Sequence, residues 1–251
     1  MRNLRLEIEY AGTNYCGWQV QRRQKAKGKR QKSIQEIIEK TLHRILQEKV
    51  RLIASGRTDS GVHAQGQIAN FKTTSGIPLE KLQRALNGLL PQDITIKSIK
   101  QVPLDFHSRF AAKSKAYRYS ILNRLYPSVF LRNRVYFYPY PLDIKIMQTE
   151  AKVLLGRHDF KAFKASGSIT ERTVRTIKRI KISKEGDLIH VDIEADGFLY
   201  NMVRNIVGTL IEIGRARFPK GSLKRILASR NRKLAGPTAP PGGLCLLAVR
   251  Y

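Results

Sequence analysis

Apolar and charged positions alternate at the start of the chain. Leu4, Leu6, Ile8 and Tyr10 flank Arg5, Glu7 and Glu9, the two-residue period of a half-buried strand. Ser33-Ile34-Gln35-Glu36 has the form of a capping box, whose Ser oxygen accepts the third helical N–H while Glu36 reaches back. Behind it Ile34, Ile37, Ile38, Leu42, Ile45 and Leu46 fall on one helical face. Short apolar stretches at 50–55 and 67–71 predict two strands. A helix opens near Pro78 with Leu79, Leu82, Leu86, Leu89 and Leu90 as its stripe, and Ile94, Ile96 and Ile99 predict a strand after it.

A similar order returns further on. Tyr117, Tyr119 and Ile121 alternate as a strand. Asp143 caps a helix carrying Ile144, Met147, Ala151, Leu154 and Leu155, stopped at Gly156. Stretches 176–183 and 188–195 form a hairpin. Leu199, Met202, Val203, Ile206, Val207, Leu210 and Ile211 give a strongly apolar helix ending at Gly214, and 244–251 is a terminal strand behind a Gly/Pro loop. The pattern predicts an α+β fold of two similar halves, 1–108 and 109–251, each an antiparallel sheet with helices on one side. No exact repeat accompanies the recurring order. Two such halves would flank a basic cleft wide enough for RNA.

Composition narrows the class. In 251 residues 42% are hydrophobic, which excludes a disordered polycation, and no run of 18 apolar residues suggests a membrane span. The first residues lack the apolar block of a signal peptide, and the two cysteines, Cys16 and Cys245, lie far apart without metal-ligand spacing. A reducing cytoplasm is the expected setting. Against that ordinary core stand 47 Lys and Arg with 19 Asp and Glu, a net charge of +28. That far exceeds the roughly 2–8 charges solubility needs in a small domain. A polyanionic partner follows, nucleic acid before an anionic membrane or an acidic protein. From 21 to 32, Arg22, Arg23, Lys25, Lys27, Lys29, Arg30 and Lys32 occur with no acid and no apolar period. Such a loop grips a phosphate backbone or is a solvated linker.

Few residues stand out for chemistry. In Ser55-Gly56-Arg57-Thr58-Asp59-Ser60-Gly61-Val62-His63, Asp59 sits in an ordinary turn sequence, yet Arg57 beside it favours the ionised carboxylate, a nucleophile or half of a structural ion pair. The chain has neither GxxxxGK[ST] nor GxGxxG, and its five histidines (His43, His63, His107, His158 and His190) are scattered, so neither cofactor nor metal is expected. Ser55, Asp59 and His63 lie too close in sequence for a hydrolase triad. His63 and His107 suit satisfied loop or strand positions, and His158 a helix end. Trp18 and Tyr15 stack on bases or pack in a core. Tyr117 is a core aromatic or a floor under an extracted base. Arg204, at the edge of an apolar stripe, calls for a carboxylate, with Asp59 as a candidate.

Gly56-Arg57-Thr58-Asp59-Ser60-Gly61-Val62-His63-Ala64 resembles the signature of the tRNA pseudouridine synthase A family. Five further blocks agree in order: Gly12-Thr13-Asn14-Tyr15-Cys16-Gly17-Trp18-Gln19; Asp105-Phe106-His107-Ser108-Arg109-Phe110 with Lys115-Ala116-Tyr117-Arg118-Tyr119; Gly156-Arg157-His158-Asp159-Phe160; Phe198-Leu199-Tyr200-Asn201-Met202-Val203-Arg204; and Ala239-Pro240-Pro241-Gly242-Gly243-Leu244. The resemblance implies conversion of uridine to pseudouridine at nucleotides 38, 39 and 40 of the tRNA anticodon arm, without cofactor or metal, by a homodimer that the tRNA spans. It implies that Asp59 is the catalytic aspartate, that Arg57 handles the target nucleotide, that Tyr117 is the active-site tyrosine and that Arg204 pairs with the carboxylate. His63 and Arg109, inside matched blocks, join the basic segment as expected RNA-binding residues. The chain departs from the family pattern at Ala11, where Asp is usual, at Ser108, where Ala is common, and in its longer basic segment. Two alternatives stand beside this expectation: a non-catalytic RNA-binding module with stacking platforms, and a related synthase acting on another RNA.

Overall fold

The computed structural model describes residues 1–19, 31–165, 167 and 170–251. Of the basic segment it includes Lys32; Arg22, Arg23, Lys25, Lys27, Lys29 and Arg30 lie outside the described residues. The described residues contain ten strands and five α-helices, the mixed α+β class that the patterning predicts. They divide into two compact units, Met1–Lys113 with Leu246–Tyr251, and Ser114–Cys245.

The first unit contains β1 (Arg2–Tyr10), α1 (Ile34–Leu46), β2 (Ile53–Ala54), β3 (His63–Thr73), α2 (Leu79–Leu89) and β4 (Ile94–Val102). β1 runs antiparallel to β3 on one side and β4 on the other, with Leu4, Leu6, Ile8 and Tyr10 buried. Ser33 Oγ accepts the Glu36 N–H at 3.2 Å, as the capping box requires. The α1 stripe is narrower than its sequence face: Ile34, Ile38, Leu42 and Leu46 are buried, while Ile37 and Ile45 are half-buried. Leu89 is 44% exposed, a correction to the α2 stripe, because Leu90 just past the helix end takes the inward position. Ile96 and Ile99 both face inward despite their odd spacing. The register against β1 steps from Glu7↔Ser98 to Ile8↔Ile96, so Lys97 is an extra residue that inverts the alternation. A second step, from Ile8↔Gln67 to Tyr10↔Ala64, puts an extra residue into β3 where that strand leaves the 55–62 loop.

The second unit contains β5 (Ser114–Leu122), β6 (Tyr136–Phe137), α3 (Ile144–Ala151), β7 (Gly156–Asp159), β8 (Val174–Glu185), β9 (Leu188–Ala195), α4 (Met202–Gly214) and α5 (Ser222–Ser229). Its strands follow the order β5-β9-β8-β7 in antiparallel ladders, with β6 adding a two-residue parallel pairing to β5. Asp143 caps α3 by accepting the Ile146 N–H at 3.0 Å. The helix stops at Ala151, continues as one tighter turn, Lys152–Leu154, and leaves Leu155 exposed. Gly156, at φ +92, then opens β7, an element that the sequence pattern does not announce. α4 is buried along nearly its whole length and forms the unit's core. At Gly208 an added Cβ would lie 1.7 Å from the Pro237 carbonyl oxygen, so only glycine lets the 235–239 segment lie against α4. The last strand, β10 (Leu244–Arg250), contributes its residues from Leu246 onward to the first unit, beyond β3.

Candidate active site

The loop between β2 and β3 is held from several directions. The Ser55 N–H donates to the Ile68 carbonyl at 2.8 Å, and its hydroxyl donates to the buried Gln67 Oε1 at 2.8 Å. The Gln67 amide in turn donates to the Gly56 carbonyl at 2.9 Å. Thr58 shares a buried 2.7 Å hydrogen bond with the Tyr10 hydroxyl, and its carbonyl accepts the Trp18 N–H at 3.0 Å. Asp59-Ser60-Gly61-Val62 closes a β-turn through Val62 N–H to the Asp59 carbonyl at 3.1 Å, with Gly61 at φ +78 in the position that needs a left-handed residue. The Ser60 hydroxyl donates to the Tyr15 carbonyl at 3.0 Å. Two glycines brace the loop from outside. A Cβ on Gly12 would meet the Val62 carbonyl oxygen at 2.0 Å, and one on Gly17 the Thr58 carbonyl oxygen at 2.7 Å. The turn thus fixes Asp59 half-buried and leaves Arg57 exposed.

Supporting residues explain the brace. The Tyr15 hydroxyl donates to Asp93, and burial together with that carboxylate pushes the phenol's pKa above its ordinary value. Trp18 and Tyr15 are 2% and 6% exposed, so both are core residues rather than stacking platforms. His63 is buried, and its Nδ1 accepts the Gly12 N–H at 3.1 Å, a position suited to holding the loop. Asp93 and Gln67 were missed by motif reasoning. The Asp-Ile pair that starts β4 and a polar residue inside an apolar strand were the available signals.

Arg109 also lies in the first unit and is exposed, its guanidinium 5.8 Å from the Phe110 ring centre. His107 Nδ1 accepts the N–H groups of Arg109 and Phe110 at 3.2 and 3.3 Å, which satisfies that histidine within its own loop. Ser108 donates N–H and O–H to Asn70 Oδ1 at 2.9 and 2.8 Å. The departure from Ala therefore ties this segment to β3.

In the second unit Tyr117 lies on β5 opposite Ile193, 8% exposed, with its ring edge-on to Phe198 at 5.1 Å. Arg204 lies in the first turn of α4. Its Nε donates to the Ala239 carbonyl at 2.7 Å and its NH1 to Asn201 Oδ1 at 2.9 Å, while its own carbonyl accepts the Ala239 N–H at 3.2 Å. Asn205, fully buried next to it, donates to the Phe163 carbonyl and accepts from Arg232 and Thr238. That cluster seats the segment that holds Arg204. Among the described residues no group of three His, Cys, Asp or Glu side chains is arranged to hold a metal ion, and no helix is long and apolar enough to cross a membrane.

The family model described as tRNA pseudouridine synthase matches residues 7–111 and 151–251. The chain belongs to the tRNA pseudouridine synthase family. It is accordingly an enzyme, of the class that isomerises uridine in tRNA. It is similar over all 251 residues, and the full length of each relative, to tRNA pseudouridine synthase A of Acetivibrio thermocellus at 49% identity and of Thermoanaerobacter sp. at 47%. The Clostridium tetani protein named tRNA pseudouridine synthase A 2 is 49% identical over 250 residues, covering 100% of this chain and 99% of its own length. The family match spans Arg57, Asp59 and Arg204, whereas Tyr117 lies between the two matched stretches.

Proposed function

We propose that this synthase converts uridine to pseudouridine at nucleotides 38–40 of the tRNA anticodon arm, with Asp59 as the nucleophilic carboxylate. The observation that carries the reading is the braced loop. Hydrogen bonds and two sterically required glycines fix Asp59 on a turn beside exposed Arg57, in a protein of charge +28.

In this reading the target nucleotide leaves its stack, at a cost of a few kcal/mol, least in a loop or at a stem end. Arg57 holds it out, and Tyr117 lies against the uracil. Arg204 pairs with Asp59 and keeps it charged. Asp59 acts at C1′ or C6, or assists base loss. The N1–C1′ bond breaks, the uracil turns, and a C5–C1′ bond forms. The C5 proton leaves to Tyr117 or water while N1 takes up a proton, so no net redox change occurs and no cofactor enters. Lys32 and its neighbours in the 21–32 segment, Arg109 and the loop at His63 hold the RNA. The working form is a cytoplasmic homodimer, and the exposed apolar residues Leu125, Val129 and Phe130 supply surface that such an assembly buries.

Release of tritium from tRNA labelled at uridine C5 tests the nucleophile. Asp59→Ala abolishes release while tRNA binding persists; release near the wild-type rate overturns the assignment.

A further inference from the structure

An open concavity of about 430 Å³ in the second unit is lined by Lys161, Lys164, Arg230, Arg232 and Lys233 with Asn231, and among the described residues no acidic side chain lines it. The cations differ in what they do. Arg232 is structural: its guanidinium donates to the carbonyls of Ala235 and Gly236 and to Asn205 Oδ1 and Thr238 Oγ1, at 2.9–3.3 Å. Burial lowers its pKa, as expected for a cation forming the floor of the concavity. Arg230 is held in a left-handed conformation at φ +53, and its Nε lies 3.1 Å from Asp159 Oδ2. Lys164 is half-buried and donates to the Thr170 carbonyl at 3.1 Å. Lys161 and Lys233 are exposed at the rim.

Holding five cations around one concavity costs Coulomb energy that a bound polyanion would relieve. The floor also connects to the catalytic machinery inside this unit. Arg232 and Thr238 meet at Asn205, and the carbonyl of the adjoining Ala239 accepts Arg204 Nε at 2.7 Å.

We propose that this concavity is a second phosphate-binding subsite, engaging the backbone of the tRNA away from the target nucleotide. The proposal rests on the reading of tRNA as substrate. Lys161 and Lys233 make the contacts, while Arg232 shapes the floor.

The test uses the full chain. Lys161→Gln with Lys233→Gln removes two phosphate contacts. By counterion release, tRNA affinity at 0.15 M salt falls roughly 15- to 30-fold, and the slope of log affinity against log salt becomes shallower by about 1.4–1.8. KM for pseudouridine formation rises in parallel with kcat within twofold, and the Lys161→Arg with Lys233→Arg variant restores both readouts. An unchanged salt slope overturns the subsite. So does a loss confined to kcat, or binding of inorganic pyrophosphate that Lys161→Gln with Lys233→Gln abolishes while tRNA affinity is untouched. Because binding is read apart from turnover, a wild-type chain that binds tRNA without forming pseudouridine counts against the functional reading and leaves the subsite judged on its slope.

Discussion

Gly12→Ala tests whether the brace around the Asp59 loop matters for the proposed chemistry. A Cβ at position 12 would lie 2.0 Å from the Val62 carbonyl oxygen, and contacts below 3.0 Å force movement. The Cβ position is fixed by the backbone and the atom it meets is a backbone oxygen, so no side-chain rotation relieves the clash. The Val62 end of the Asp59 turn must therefore shift by about 1 Å. Overpacking of this kind costs about 1–3 kcal/mol of stability. A misplacement of about 1 Å in a reacting group costs on the order of 100-fold, equivalent to about 2.7 kcal/mol of activation free energy. Tritium release from C5-labelled tRNA gives kcat and KM, and urea unfolding gives stability. The expected result is a kcat about 100-fold lower with KM within threefold of wild type. Gly186→Ala is the control. It occupies a positive-φ turn at +58 with no atom within 4 Å of the added Cβ, so it loses stability and keeps kcat. A Gly12→Ala enzyme with wild-type kcat refutes the reasoning that the brace positions Asp59.

Asp93→Asn weakens the hydrogen bond from Tyr15, whose carbonyl holds Ser60; stability falls by about 1 kcal/mol and kcat drops several-fold, and an unaltered kcat argues against this link. His190 has its pKa lowered from 6.5 by burial and then by Arg118, so the folded chain binds fewer protons there than the unfolded chain. Its contribution is present above about pH 6.5 and is lost as pH falls through the depressed folded value, so the melting temperature drops on acidification. His190→Gln makes that acid-side drop shallower, and parallel curves for the two proteins between pH 5 and 7 contradict the coupling.

Where burial follows the local period, the fold could be read from the sequence: Leu4 to Tyr10, the Ser33 cap, the hairpin of β8 and β9, and α4. It failed where tertiary context chose the outcome. β6 and β7 are two and four residues long, too short to show a period, and β7 begins at the glycine read as a helix stop. α5 carries Leu223 and Ile226 as its buried face, too few apolar positions to register as a stripe. Ile94, Ile96 and Ile99 were read together as a strand, and the extra residue at Lys97 is what lets Ile99 face inward with Ile96. At the site, Asp59 and Arg57 were legible as a motif, while their supports were not. Asp93 reaches the loop through the Tyr15 hydroxyl, and Gln67 through the Ser55 hydroxyl and the Gly56 carbonyl, partners that lie outside the motif. Trp18 and Tyr15, open between stacking and packing, are core residues, Trp18 with its ring centre 6.0 Å from that of Tyr10 and Tyr15 with its hydroxyl on Asp93.

The central claim is the proposal that this synthase isomerises uridine at nucleotides 38–40 of tRNA with Asp59 as its nucleophile. Unmodified tRNA incubated with the chain and then mapped nucleotide by nucleotide for pseudouridine measures it directly. The account predicts pseudouridine at positions 38, 39 or 40 with the wild-type chain and none with Asp59→Asn. Pseudouridine confined to other positions, or formed equally by Asp59→Asn, contradicts it.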